Sequence, residues 1–136
     1  MLVTYRQWTT ADDLSALTRL LNRAYRDLAA MGFRYTATWQ GDDITARRIA
    51  RGECWLAVDE TGTYLGTVTY YGPSSEKPKE CAYYQRAGLA TFGQYGVDPE
   101  AKGQGIGREL MAIVERRACE DAAVELACDT AEGAAT

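Results

Sequence analysis

Three glycines at alternate positions, Gly103, Gly105 and Gly107, stand at the start of a predicted amphipathic helix, after a strand-like run that ends at Val97 and an Asp-Pro turn. Glycine lets the backbone turn tightly and lets a ligand approach without a Cβ in the way. The first N–H groups of a helix have no internal partner, and the helix dipole attracts anions to that end. This strand-to-helix turn is therefore predicted to bind a phosphate group.

Lys102 and Arg108 flank the turn and add positive charge. The turn nevertheless matches neither of two common phosphate-binding motifs. The P-loop ends in a Gly-Lys-Ser/Thr triplet, which the sequence lacks. The dinucleotide fingerprint needs a third glycine where Arg108 stands, and it belongs to a first strand–helix unit, whereas this turn lies late in the chain. Considered alone, the three glycines also fit a flexible turn before a surface helix.

The composition indicates one globular domain over residues 1–136, because 46% of the residues are hydrophobic and 25% are charged. The net charge of -4 argues against nucleic-acid binding, which favours a basic surface. No apolar run has the length of a membrane span or the form of a signal peptide, so we predict a cytoplasmic protein without membrane contact. The absence of histidine excludes a Ser-His-Asp triad and a histidine-based zinc site, and the four cysteines lack metal-binding spacing, so no metal is predicted.

Hydrophobic periodicity predicts a mixed order of strands and helices. The predicted strands are Leu2–Trp8, Glu53–Asp59, Thr63–Tyr71, Leu89–Val97 and Ala122–Cys128. The predicted helices begin after an N-cap at Thr10, at Asp42 and near Gly103, and the second is closed by Gly52. Arg47, Arg48 and Arg51 are expected on the solvated face of the second helix, and Cys54 and Cys128 are expected to be buried.

The stretch Lys102–Gly107, with its strand, turn and helix, resembles the acetyl-CoA signature Gln/Arg-x-x-Gly-x-Gly/Ala of the GNAT N-acetyltransferases. Lys102 departs from the pattern, since it keeps a positive charge but lacks the planar fork of arginine. The resemblance implies the α/β fold of that family, with a mixed sheet and the order β-α-α-β-β-β-α-β. It also implies transfer of acetyl from acetyl-CoA to a primary amine of a small molecule or peptide.

The resemblance further implies the residues that form the site. The pyrophosphate of acetyl-CoA would be held at Lys102, Gly103, Gln104, Gly105, Ile106, Gly107 and Arg108. The fourth strand of that family splays from the fifth, so backbone groups of Tyr95 and Val97 are predicted to pair with the pantetheine arm. The region between the first two helices borders the acceptor site, which makes candidates of Tyr25, Phe33, Tyr35 and Trp39, although each could instead cap the core.

The catalytic groups match the family less well. Some members place a glutamate base where this chain has Thr91, so Glu80, the nearest upstream carboxylate, is the candidate base. Members also continue with a helix, two strands and a tyrosine acid, which implies a C-terminally truncated domain that pairs as a homodimer through its last strand. Because neither base nor acid is matched, a non-catalytic acyl-CoA-binding or interaction module is the alternative function.

Overall fold

Five strands and three α-helices form the described part of the protein, residues 2–33, 35–75 and 86–128 of a computed structural model. The strands are β1 Val3–Gln7, β2 Glu53–Asp59, β3 Tyr64–Tyr71, β4 Leu89–Val97 and β5 Glu125–Cys128. The helices are α1 Leu14–Ala30, α2 Asp42–Ala50 and α3 Ile106–Glu120, with 3₁₀ turns at Thr36–Thr38 and Pro99–Ala101. The predicted order β-α-α-β-β-β-α-β and the mixed α/β class are confirmed.

The strands form one sheet in the order β1-β2-β3-β4-β5. The first four pair antiparallel, whereas β5 pairs parallel to β4 because α3 carries the chain back along the sheet. The β4–β5 ladder is short and runs from the pair Leu89–Glu125 to the pair Phe92–Cys128. Homodimer formation through β5 stays a prediction.

Helices cover both faces of the sheet. On one face, α3 contributes to a buried cluster that contains Ala57, Val68, Ala90, Ile106, Leu110 and Val114. On the other face, α1 contributes to a cluster that contains Leu17, Leu20, Leu21, Leu56 and Val58. Each fully buried large aliphatic side chain stabilises the fold by roughly 1.5–3 kcal/mol relative to exposure. These clusters hold α1 and α3 against the sheet. They thereby fix the position of α3 relative to β4, the strand that precedes it in the chain.

The N-cap of α1 is Asp13, so the prediction of Thr10 is wrong. The Asp13 side chain accepts a hydrogen bond from the N–H of Ala16 at 3.0 Å, as an N-cap does. Asp12 is drawn away from the helix, because Arg6 donates to both of its carboxylate oxygens, at 2.9 and 2.7 Å. This contact with β1 decides which of the neighbouring polar residues begins the helix.

The prediction for the cysteines is half right. Cys54 is buried, and burial raises the pKa of its thiol, but Cys128 is exposed because it lies at the end of an edge strand.

No helix in the described ranges is long and apolar enough to cross a membrane. Glu80, the candidate base, lies outside the described residues.

Candidate functional site

Among the described residues, nothing pairs with one edge of the second half of β4, which is called the free edge below. Its pairing with β5 ends at Phe92 within the described residues, although β4 continues to Val97. On the other side, the N–H of Asp98 donates to the carbonyl of Leu65 in β3 at 2.8 Å. Because backbone groups alternate in direction along a strand, the N–H and C=O of Val97 point away from β3, toward this free edge. They are available there to a ligand.

A β-bulge lies where β4 leaves β5. Thr67 and Thr69 of β3 pair with Gly96 and Gly93 of β4, so β4 contains one extra residue between these pairs. Gln94 in this interval has a φ of 48°, in the left-handed region that side-chain-bearing residues rarely adopt. A bulge bends its strand and increases the local twist, which directs the end of β4 away from its former neighbour.

The glycine turn follows β4 after the 3₁₀ turn. Asp98 caps that 3₁₀ turn through the N–H of Glu100 at 3.0 Å, and Arg23 of α1 donates to the same carboxylate at 2.9 Å. Gly103 and Gly105 then adopt φ values of 85° and 76°, and a Cβ at either position would meet nothing within 4 Å. These two glycines therefore provide an open, left-handed backbone over which a ligand can lie.

Gly107 has a different role. A Cβ at Gly107 would lie 2.9 Å from the hydroxyl oxygen of Tyr95, and that hydroxyl donates to the carbonyl of Gly107 at 2.7 Å. The glycine thus permits the first turn of α3 to pack closely on β4. This contact joins the glycine turn to the strand that carries Val97.

The N-terminus of α3 is open to an anion. Its N-cap, Gly105, provides no side-chain hydrogen bond, and the first main-chain bond of the helix runs from Glu109 to Gly105 at 3.0 Å. The N–H groups of Ile106, Gly107 and Arg108 precede that bond and have no carbonyl one turn earlier in the helix. Of the residues predicted to bind the pyrophosphate, Lys102, Gly103, Gln104, Gly105 and Arg108 are exposed, and Ile106 is buried.

Aromatic side chains lie on the α1 side of the bulge. Tyr25 is 9% exposed and donates its hydroxyl to the carbonyl of Tyr95 at 2.8 Å. Tyr35 contacts the Tyr25 ring edge-on, with 5.1 Å between the ring centroids. Of the other two acceptor-site candidates, Phe33 is half-buried, whereas Trp39 is 68% exposed and therefore does not cap the core.

Of the three arginines predicted on the solvated face of α2, Arg47 and Arg51 are exposed, whereas Arg48 is half-buried. The hydroxyl of Tyr71 donates to the Arg48 carbonyl at 3.1 Å. Burial raises the pKa of Tyr25 to about 12, and the Arg48 charge acts in the opposite direction on both Tyr25 and Tyr71. The signal in the sequence was the spacing, since Arg48 lies one turn after Ile44 and next to Ile49.

The described residues offer no matched base at the bulge. Thr91, the position at which the resemblance led us to look for a glutamate base, is 7% exposed and carries no acidic group. No group of three or more His, Cys, Asp or Glu residues that could hold a metal ion occurs in the described ranges.

Comparisons with known proteins show the family and the fold of this chain. A model of the acetyltransferase (GNAT) family matches residues 14–136. S-(2-succino)cysteine N-acetyltransferase of Bacillus subtilis (strain 168) is 26% identical over 109 residues, which cover 80% of this chain. The chain spans only 62% of the length of that relative.

Solved structures show the same fold. A GNAT family acetyltransferase from Brucella melitensis in complex with acetyl-CoA matches with a TM-score of 0.63 at 20% identity, over 90% of this chain and 71% of that chain. Glucosamine-6-phosphate N-acetyltransferase from Arabidopsis thaliana matches with a TM-score of 0.64 at 13% identity, over 98% and 85% of the two chains. At these identities the likeness concerns the fold alone.

Proposed function

Because the chain belongs to the GNAT acetyltransferase family, we propose that it transfers an acetyl group from acetyl-CoA directly to a primary amine. One observation carries this proposal: the free edge of β4 at Val97 is followed at once by the open glycine turn and the uncapped start of α3. A single strand–helix unit thereby offers backbone donors for an acyl group at one end and for a phosphate at the other.

The turn would hold the pyrophosphate of acetyl-CoA. The N–H groups at the start of α3 and the helix dipole favour a doubly charged anion, and the missing Cβ atoms at Gly103 and Gly105 leave room for it. Lys102 and Arg108 are exposed beside the turn and add positive charge. The residues present thus fit the co-substrate.

The free edge of β4 would hold the thioester end of acetyl-CoA. In this proposal, the N–H of Val97 donates to the thioester carbonyl as that oxygen gains negative charge during attack by the amine. The amine nitrogen forms the new bond to the acetyl carbon, and the thiolate of CoA leaves. Holding both reactants against one rigid strand supplies most of the acceleration by proximity.

The attacking amine must lose a proton, and Tyr25 is unsuited to accept it. Burial raises the pKa of Tyr25 to about 12, so its hydroxyl stays protonated at neutral pH, and its proton is donated to the Tyr95 carbonyl. Glu80 stays the candidate base of the proposal, with solvent water as the route for the proton.

The acceptor amine would lie against Tyr25 and Tyr35, and we propose that it carries a carboxylate. Arg48 is half-buried, its charge lowers the pKa of Tyr25, and no carboxylate of residues 2–33, 35–75 and 86–128 forms an ion pair with it. An arginine pairs well with a planar carboxylate. The Bacillus relative is named for a succinylated cysteine, an amine of this carboxylated kind.

Calorimetric titration with acetyl-CoA tests the proposal, with Gly105→Glu as the variant and Gly62→Glu as its matched control. Gly62 has the same left-handed backbone, with a φ of 88°, and equally open space, but it lies in the β2–β3 turn. We expect Gly105→Glu to weaken binding by at least about a hundredfold through charge repulsion and loss of the cradle, and Gly62→Glu to leave it unchanged. Equal effects of both substitutions would contradict the placement of the pyrophosphate.

Turnover separates the enzyme from a module that only binds acyl-CoA. Release of free CoA should depend on an added primary amine. Tight binding without turnover of any amine would favour the binding module.

The acceptor class is tested with Arg48→Gln and with Arg47→Gln as its control, because Arg47 is exposed on the same helix and lies 3.9 Å from Asp43. For an amino acid, the KM of Arg48→Gln should rise by about tenfold, and for its decarboxylated amine it should stay unchanged. An equal change for both acceptors would contradict a carboxylate contact.

A further inference from the structure

A chain of buried polar side chains connects α1 and α2 to the bulge of β4. Thr18, Thr45, Gln40, Gln94 and Thr69 follow one another in this chain, and each is at most 5% exposed. The hydroxyl oxygens of Thr18 and Thr45 are 2.8 Å apart. At the other end, the Gln94 amide nitrogen donates to the Thr69 hydroxyl at 3.4 Å. Polar groups buried to this extent are retained where their hydrogen bonds determine a particular arrangement.

Gln40 is the central member of this chain. Its amide nitrogen donates both hydrogens, one to the Thr45 hydroxyl at 2.7 Å and one to the Gln94 carboxamide oxygen at 2.7 Å. Asn22 of α1 donates to the carbonyl of Ala37 at 2.8 Å, which holds the turn before Gln40 against the helix. Both amide hydrogens of Gln40 are thus used, whereas its carboxamide oxygen is buried and has no hydrogen-bond partner among the described residues. In this orientation the amide presents a donor to the bulge.

The residue that receives this hydrogen bond has a strained backbone. Gln94 and Ala122 are the two non-glycine residues with positive φ in the described ranges, and Gln94 lies within a strand. The left-handed conformation brings Cβ close to the following carbonyl, so it persists where other contacts hold it. The contact of 2.7 Å with Gln40 is the shorter of the two side-chain hydrogen bonds that hold Gln94.

The next two residues of β4 are also held from α1. The carbonyl of Tyr95 accepts the hydroxyl proton of Tyr25, and Gly96 lies so close to Ala24 that a Cβ on it would be 2.8 Å from the Ala24 Cβ. Val97 comes directly after these three residues. The conformation of the bulge thus sets the direction of the Val97 N–H together with the hydrogen bond from Asp98 to Leu65.

We propose that Gln40 is a positioning residue for acyl transfer: through its hydrogen bond to Gln94 it holds the β4 bulge so that the Val97 N–H is aimed at the thioester carbonyl. This rests on the proposed function. Gln40 touches neither reactant. A shift of the donor by a fraction of an ångström weakens its bond to the developing negative charge.

The test compares Gln40→Met, which keeps the side-chain length and removes the donor, with Tyr64→Phe. Tyr64 is also buried, and its hydroxyl donates to Asp12 and accepts from the N–H of Asp13, at the far end of α1 from the bulge. We expect Gln40→Met to lower kcat by at least about tenfold with the affinity for acetyl-CoA changed by less than about twofold. Tyr64→Phe should lower stability with kcat unchanged. Equal kcat for Gln40→Met and wild type would overturn the proposal.

Gln94→Gly shows whether Gln40 acts through Gln94. Glycine adopts a φ of 48° without strain, so the bulge of this variant should no longer need the hydrogen bond. In the Gln94→Gly background, Gln40→Met should change kcat by less than about twofold. An undiminished loss of kcat in that background would overturn the proposed route.

Backbone chemical shifts of the free protein test, without any substrate, whether Gln40 holds the bulge of β4. Gln40→Met should move the resonances of Gln94 through Val97, and Tyr64→Phe should leave them in place. Unchanged resonances in Gln40→Met would overturn the holding role. If the wild-type protein acetylates no amine, the proposed function fails, and this spectrum still decides whether Gln40 holds the bulge.

Discussion

Substitution of Gly96 by alanine should push α1 away from the sheet. An added Cβ would lie 2.8 Å from the Cβ of Ala24, and its next neighbour is the Tyr25 ring at 3.4 Å. Carbon atoms normally approach to about 3.5–4.0 Å, so a gap of about 1 Å must open. Both Cβ atoms are placed by the backbone, so no rotamer change can relieve the contact.

The expected loss follows from two opposing effects. Overpacking of this kind costs about 1–3 kcal/mol. Replacing glycine in a strand by alanine stabilises the fold by about 0.5–1 kcal/mol, because the unfolded chain becomes less flexible. Gly96 is not among the glycines with positive φ, so alanine meets no backbone strain there. The free energy of unfolding should therefore fall by about 1 kcal/mol, within a range of about 0–2.5 kcal/mol, with a drop in Tm of about 3–5 °C at the central value.

Urea unfolding measures this loss, and Gly93→Ala in the same strand is the control. A Cβ at Gly93 would be 4.0 Å from the Tyr71 ring, an ordinary contact, so this variant should be as stable as wild type or slightly more so. Ala24→Gly should cost about 1 kcal/mol alone and less in the Gly96→Ala background, because it removes the clashing methyl group. Equal stability of Gly96→Ala and Gly93→Ala, or strict additivity with Ala24→Gly, would refute the close approach of α1 to β4.

Three further predictions concern the site and its support. Tyr25→Phe should cost about 1 kcal/mol at neutral pH, because the Tyr95 carbonyl loses its donor. Since burial raises the pKa of Tyr25 from 10.0 to about 12, wild-type stability should fall as the pH rises through that interval, and urea unfolding at alkaline pH should show a smaller fall for the variant. Asp12→Asn should lower stability at neutral pH by about 1.5–3 kcal/mol. Arg6 holds the pKa of Asp12 well below 3.8, so this difference should persist above that pH and disappear in stronger acid, where a constant difference would contradict the ion pair. Lys102→Arg should tighten acetyl-CoA binding by roughly threefold in calorimetry, because a guanidinium can meet two phosphate oxygens, and weaker binding would contradict a phosphate contact at this position.

The regular elements could be predicted from the sequence because their signals are local. Alternation or helical spacing of apolar residues determined β2 and β4 to the residue, and the start of α2 at Asp42. The turn before α3 was equally visible, since Gly103 and Gly105 are needed for left-handed backbone within a few residues of the helix they precede. The resemblance to the family rested on this turn with its strand and helix, and the fold was what that resemblance implied.

Contacts between distant residues could not be read in the same way. The three glycines of the turn look equivalent in the sequence. Position 107, however, requires glycine because Tyr95, twelve residues earlier, packs on it. Local charge patterning predicts a solvated Arg48, but its side chain is half-buried and its carbonyl accepts a hydrogen bond from Tyr71. The type of each residue limits what it can contact, but packing of the sheet decides what it does contact.

The bulge of β4 shows most clearly the difference between what local patterns predict and what contacts between distant residues decide. The sequence predicts a strand from Leu89 to Val97, and its two glycines favour an irregularity within it. The packed structure places the extra residue near Gln94 and brings Gln40 to Gln94, across 54 residues, and Tyr25 to Tyr95, across 70 residues. A left-handed glutamine is unfavourable in isolation, so no local pattern predicts it. It exists because the hydrogen bonds of its side chain with Gln40 and Thr69 outweigh its strain.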